Sequence, residues 1–203
     1  MVRKTQFALD EAKTKERELA HINQIMQMAN ATFDFDEVFA VILDGLKEIF
    51  TFDAIGIQLV NESQSSLNIH KVYGEHITEE SILRCQEIEI LITKNNCVSS
   101  SVFGSGELAY FPRIRPDTRF YKIDKKIYQV LHYTSYLGCP LIVQGKIIGV
   151  ISFITTGVHI ELKEYELAKI QRYVTSISTT INNAKIYQQL KHPNSVFSLS
   201  TRN

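Results

Sequence analysis

The sequence has no surplus of charge of either sign. Lys plus Arg number 22 and Asp plus Glu number 22, for a formal net charge of +0. A chain so balanced lacks the basic footprint of a general nucleic-acid binder. It also gives no electrostatic reason to expect an anionic membrane or an acidic substrate as partner. Long apolar runs are missing too. The longest, around Ile147 to Ile154, is broken by Ser152 and falls far short of the roughly 18 residues that read as a membrane span. The first 21 residues carry basic side chains but no apolar core of a secretory signal. Cysteine is scarce. Cys85, Cys97 and Cys139 are odd in number, widely spaced and without a C-x-x-C pair, the pattern of free thiols in a reducing cytosol. The expected setting is therefore cytoplasmic, with no membrane contact by this segment and no nucleic-acid partner.

What is present suits one domain. Of 203 residues, 44% are apolar, enough for one compact core with additional helix. Residues 4–32 lack Pro and Gly and are rich in Lys, Glu, Gln and Ala, which predicts a helix. Leu19, Ile22, Met26, Ala29 and Phe33 step by three and four, as a coiled-coil seam requires. Before Leu19 the seam weakens to Ala8, Ala12 and Lys15, and the first turns are expected to fray. Asp34 with Glu37 three residues on resembles a capping box, so a second helix is predicted from Asp36 to Phe50.

Ala54 to Val60 and Leu67 to Tyr73 read as strands joined by the turn-forming residues Asn61 to Ser66. Glu87 to Thr93 reads as a third strand and Leu108 to Phe111 as a short fourth, closed by Pro112. The stretch from Pro112 to Asp124 reads as a loop, followed by a short helix from Lys125 to His132. Two strongly apolar strands flank Gln144, Gly145 and Lys146, a second hairpin. Gly145 permits the turn, and Gly149 removes a side chain where another backbone or helix must come close. A final helix spans Glu161 to Lys191. Leu167, Ile170, Val174, Ile177, Ile181 and Ala184 carry its main face. Tyr173, Thr180 and Tyr187 widen that face beyond a single seam.

In this order of elements, the segment from Ser135 to Phe153 resembles the closing hairpin of GAF domains: a small residue, Pro140 and Leu141, a Gly turn, then Gly149 and Val150 before the last strand. Ser101 to Phe111 is similar to the family's short helix, Gly-Glu turn and strand. The resemblance covers residues 22 to about 190. It implies an α+β fold related to PAS domains. A six-stranded antiparallel sheet would carry long N- and C-terminal helices on one face and short helices and loops on the other. The domains would be an N-terminal signalling helix over 1–34, a GAF core over 35–160, a C-terminal signalling helix over 161–192 and a disordered tail over 193–203.

The function so implied is a non-catalytic regulatory sensor. It would bind a small ligand and signal through a homodimer of terminal helices to an attached effector such as a nucleotide cyclase, diguanylate cyclase, histidine kinase or phosphodiesterase. Cyclic nucleotide is a weakened candidate for the ligand. Where phosphodiesterase GAF domains carry Asn-Lys and then Phe, this chain has Thr155, Thr156 and Gly157. No Cys-His pair suggests a bilin, and the six histidines show no metal-ligand spacing. No cofactor, metal or catalytic set is expected. Gly104, Gly106 and Ala109 imitate a dinucleotide fingerprint, but no strand precedes them, so they form a turn. By similarity to the family, Ser100, Phe111, Tyr128, Tyr133 and Ser135 would face the ligand. His132 would stand near the pocket in a hydrogen-bonding role. Arg113, Arg115 and Arg119 either hold an acid group or form a solvated face. Two alternatives stand beside the sensor. One is a pure dimerisation module. The other is a small redox enzyme of the free methionine sulfoxide reductase type, working through Cys97 and Cys139.

Overall fold

Turn chemistry sets the strand boundaries in the computed structural model, which describes residues 12, 13, 16, 19, 20, 22–25, 27, 29, 31, 32, 34–93, 96–115, 118 and 121–191. The chain forms two units. One is the segment Phe50–Ser178, and the other joins Met1–Ile49 to Thr179–Asn203.

The first of these units holds a sheet of six strands: β1 (Ala54–Val60), β2 (Ser66–Gly74), β3 (Ile90–Leu91), β4 (Ala109–Phe111), β5 (Ser135–Val143) and β6 (Lys146–Thr155). Their order across the sheet is β3-β2-β1-β6-β5-β4, and every neighbouring pair is antiparallel. The β1–β2 turn is knitted by Asn61, whose Oδ1 accepts from the Ser65 and Ser66 amides at 2.9 and 3.3 Å. In the β5–β6 turn, Gln144 and Gly145 have φ of 50° and 77°, the left-handed pair that suits the twist of a two-residue hairpin. Gly149 behaves as its sequence position suggests. A Cβ there would lie 2.1 Å from the Gln58 carbonyl oxygen on β1.

Three short helices belong to the same unit: α2 (Glu79–Gln86), α3 (Val98–Ser105) and α4 (Lys122–Leu131). Helix α2 is where the structure departs from the sequence reading. Thr78 caps it by accepting from the Ser81 amide, Glu79 and Glu80 occupy its first turn, and Arg84 its last, all favourable to the helix dipole. The helix consumes the chain through Gln86. The strand expected over Glu87 to Thr93 is reduced to the two residues of β3, which pair with Ser66 and Leu67, because the amides of Glu87 and Ile88 close the end of α2 by donating to the Leu83 and Cys85 carbonyls. Helix α4 starts at Lys122, three residues before the expected start. Leu67, Ile69, Cys85, Ile90, Cys97, Val102, Ile123 and Val150 form a buried cluster between these helices and the sheet.

The other unit contains helix α1 (Phe35–Ile49) and the last part of α5 (Glu164–Lys191), whose earlier residues belong to the sheet unit. Asp34 caps α1, its Oδ1 accepting from the Asp36 and Glu37 amides at 2.9 and 3.3 Å. The amide of Asp34 itself donates to Thr32 Oγ1 at 3.1 Å, a bond that a full capping box would give to Glu37. Val38, Ile42 and Leu46 are buried at spacings of four, the signature of an apolar helix face. Every described residue from 12 to 29 is helical. Along the expected seam, exposure falls from 59% at Leu19 to 0% at Ala29. Ala8, Lys15, Met26 and Phe33, like the tail over 193–203, lie outside the described residues. Ile181 and Ala184 are buried near the end of α5.

Candidate functional site

Alternation along the central strands sends successive side chains to opposite faces of the sheet. On β1, Ile55, Ile57 and Leu59 share one face, and Ala54, Gly56 and Gln58 share the other. The register sets Gly56 and Gly138 opposite Ser152, and Ala54 and Tyr136 opposite Ile154. That second face is roofed by α2, α3 and α4, and under the roof lies a cavity. Its atom-free space, mouth included, is about 540 Å³, with about 50 Å³ open to the centres of water-sized molecules. Ile69, Val72, Ile127, Leu131 and Ile154 supply apolar wall. The polar side chains are Gln58, Ser99, Asp124, Tyr133, Tyr136 and Ser152.

These polar groups form a short network. Tyr136 Oη lies 3.2 Å from Ser99 Oγ and 3.1 Å from Ser152 Oγ. Gln58 Nε2 donates to Ser152 Oγ at 3.5 Å, the limit of a useful hydrogen bond. Gln58 Oε1 has no partner, although the residue is only 6% exposed. A buried acceptor left unpaired costs roughly 1–3 kcal/mol, so this atom is the site's clearest demand for a donor. The ring of Tyr136 folds back along its own strand over Gly138, where a Cβ would meet the phenol oxygen at 2.7 Å.

Asp124 stands in the first turn of α4 and reaches α3. Its Oδ1 and Oδ2 accept from the Val98 amide at 3.1 and 3.0 Å, at the positive end of the α3 dipole. Burial nevertheless pushes its carboxyl up from 3.8 to about 6, against the opposing pull of the Val98 and Tyr121 amides. Burial also raises Tyr133 and Tyr136 far above their usual range, so both stay neutral donors. The thiols are raised by the same cause, Cys85 to about 11 and Cys139 to about 12, and Cys97 also upward. A thiol so shifted is a poor nucleophile near neutral pH. Among the described residues, no three His, Cys, Asp or Glu side chains come together as a metal site requires.

Of the residues singled out in the sequence, the structure places Tyr133 in the cavity wall. Ser100 closes a capping box at the start of α3, where its amide donates to Cys97 Sγ and its Oγ accepts from the Cys97 amide. Phe111 points to the cavity face from edge strand β4, 41% exposed and 6.3 Å from the Tyr136 ring. Tyr128 stacks edge-on against Tyr133 and His132. His132 terminates α4 in the left-handed conformation, its amide donating to the Tyr128 carbonyl. Ser135 faces the opposite side of the sheet, in a small second cavity with Leu137 and Phe153. Its Oγ is already committed, donating to the Pro112 carbonyl at 2.8 Å and accepting from the Ile160 amide at 2.9 Å. Arg113 pairs with Glu161 at 2.8 Å on the surface, and Arg119 lies outside the described residues. Sequence reasoning missed Gln58, Asp124, Tyr136 and Ser152. A lone Gln and a lone Ser inside apolar strands were the available signal for two of them.

The GAF domain family model matches residues 23–181, more than half of the chain. No curated protein sequence matches. Among solved structures, the chain is similar to the GAF domain of an Acinetobacter phosphoenolpyruvate-protein phosphotransferase, at 16% identity and a TM-score of 0.65, covering 85% of this chain and 98% of that one. It is likewise similar to the GAF domain of a two-component sensor histidine kinase from Bacillus halodurans, at 21% identity and a TM-score of 0.61, covering 78% and 100%. A free methionine-R-sulfoxide reductase from Neisseria meningitidis, solved with its substrate, matches at 15% identity and a TM-score of 0.57, covering 82% and 89%. At these identities the likeness concerns the fold. The curled antiparallel sheet, its order of strands and the match along 23–181 lead to one conclusion: the chain belongs to the GAF domain family, whose members are typically regulatory sensors in signalling proteins.

Proposed function

We propose that this chain is the sensing module of a larger signalling protein, binding a small molecule in the cavity beside Gln58 and Asp124. The observation that carries this reading is the unpaired Oε1 of Gln58 in the wall of a mainly apolar cavity. Ligand pockets have that make-up, apolar walls with a few convergent polar groups that fix orientation. The output runs through α5, which has residues in both units. Two copies pair through their terminal helices, and occupancy biases that pairing toward an arrangement the effector domain reads. A ligand moves such an equilibrium only by its differential affinity for the two arrangements.

The module itself is non-catalytic in this reading. The raised thiols of Cys85, Cys97 and Cys139 speak against the redox-enzyme alternative. Cyclic nucleotide is a poor fit, because among the described residues no Lys, Arg or His lines the cavity to meet a phosphate.

Native mass spectrometry of the purified chain, with a thermal-shift panel that includes cyclic nucleotides, tests the reading. A bound small molecule or a saturable rise in Tm is expected, worth about 2.7 kcal/mol at a hundredfold excess over Kd. Sedimentation is expected to show a dimer. A panel with no response removes the ligand-sensing claim, and a monomer at all concentrations removes the helix-paired output.

A further inference from the structure

Resting on the reading that the cavity is a ligand site, we infer that it takes a small organic cation, an ammonium or amidinium group on an apolar body, held by Asp124 and Gln58. The two residues are each 6% exposed and both line the cavity. They offer acceptors only where they are free. Asp124 accepts from two backbone amides, Val98 with both oxygens and Tyr121, and a carboxylate has about four lone-pair sites. Acceptor capacity therefore remains. Gln58 Oε1 is wholly unpaired.

The charge balance of the wall points the same way. Among the described residues that line the cavity, Asp124 is the one charged side chain, with no cation beside it. A desolvated carboxylate without a counter-charge is costly, and burial is already the dominant influence on this one. A cationic ligand supplies the missing partner. The rings of Tyr133 and Tyr136 lie in the same wall, and an aromatic ring attracts a cation over its face. The remaining wall is aliphatic and suits a short hydrocarbon body. The free space within the wall is small, about 50 Å³, so the body is short.

The test uses the 203-residue chain and three probes of similar shape: n-butylammonium chloride, n-butanol and sodium n-butyrate. Binding is read by Tm and by amide shifts of Gly56 and Ser99. Butylammonium is expected to bind about tenfold tighter than butanol, with butyrate weakest, as one charged hydrogen bond dictates. Asp124→Asn is expected to remove that preference, bringing butylammonium and butanol to similar affinities. Gln58→Leu, a second variant should Asp124→Asn not fold, is expected to weaken butylammonium severalfold. A preference for butyrate or butanol overturns the cation assignment and leaves the sensor reading standing. A butyrate preference would fit a Gln58 amide turned so that its NH2 faces the cavity. Equal butylammonium binding by both variants and the native chain also overturns it. If none of the three binds but another panel compound does, the cation assignment alone fails. If nothing binds at all, both readings fail.

Discussion

Replacing Asp124 with Asn should change the pH dependence of stability in a direction fixed by the site. The buried carboxyl holds its proton more tightly in the folded chain, at about 6 against 3.8 for the free group. Between those values the folded state binds more protons than the unfolded one, so native stability must fall as pH rises from about 4 to about 6. That gap corresponds to about 3 kcal/mol at full ionisation, an upper figure. The substituted amide cannot ionise, so the variant escapes the loss. Measured by urea denaturation at pH 4.5 and 7.5, the stability of the variant relative to the native chain should improve by about 2 kcal/mol, since part of the effect is already present at pH 4.5. Far-UV circular dichroism confirms the fold at each pH, and a carboxyl carbon titration by NMR reads the group directly. A difference that is flat with pH would refute the reasoning. So would one favouring the native chain at neutral pH, because the Val98 amide and the α3 dipole would then outweigh burial.

Gly149→Ala drives a Cβ to 2.1 Å from the Gln58 carbonyl oxygen, a backbone atom with no rotamer to yield. A loss of about 3 kcal/mol or more is expected in urea unfolding, and a neutral result would mean that β1 and β6 separate easily there. Tyr136→Phe strips a partner from both Ser99 and Ser152 and should cost about 1–2 kcal/mol, whereas an unchanged midpoint would deny the network. His132→Gly relieves a left-handed residue at φ 48° and should raise stability by about 0.5 kcal/mol after the entropy cost of glycine. A marked fall would assign weight to the His132–Tyr128 ring contact instead. In the native state at pH 8, all three thiols should resist alkylation until the chain unfolds. Rapid labelling of Cys97 would reopen the redox alternative.

The hairpins were legible because their signals are local. Asn61 and its serines bend the chain by their own side chains, and Gln144 with Gly145 announces a tight turn. Helix α2 escaped notice because its cap, Thr78 with Ser81, resembles ordinary loop composition, and only Cys85 of its residues is fully buried. Similarity to the family places Ser135 at the ligand, a placement that could not be checked from the pattern of β5. Its Leu137, Cys139 and Leu141 are buried on one side while Tyr136, Gly138 and Pro140 occupy the other. A strand covered on both faces carries apolar residues at both parities. Periodicity therefore could not tell the side of Ser135 from that of Tyr136, although the pleat separates them. Asp124 could not be found by periodicity, since its partner Val98 lies 26 residues away and meets it only when α3 and α4 come together.

The outermost strands have a consequence for how copies of this protein meet. β3 contributes two residues and β4 three, and β4 runs directly into Pro112, which has no amide to donate. An incoming strand would find only two residues of ladder to copy on β3 and three on β4, a short-edge device that discourages strand-to-strand growth there.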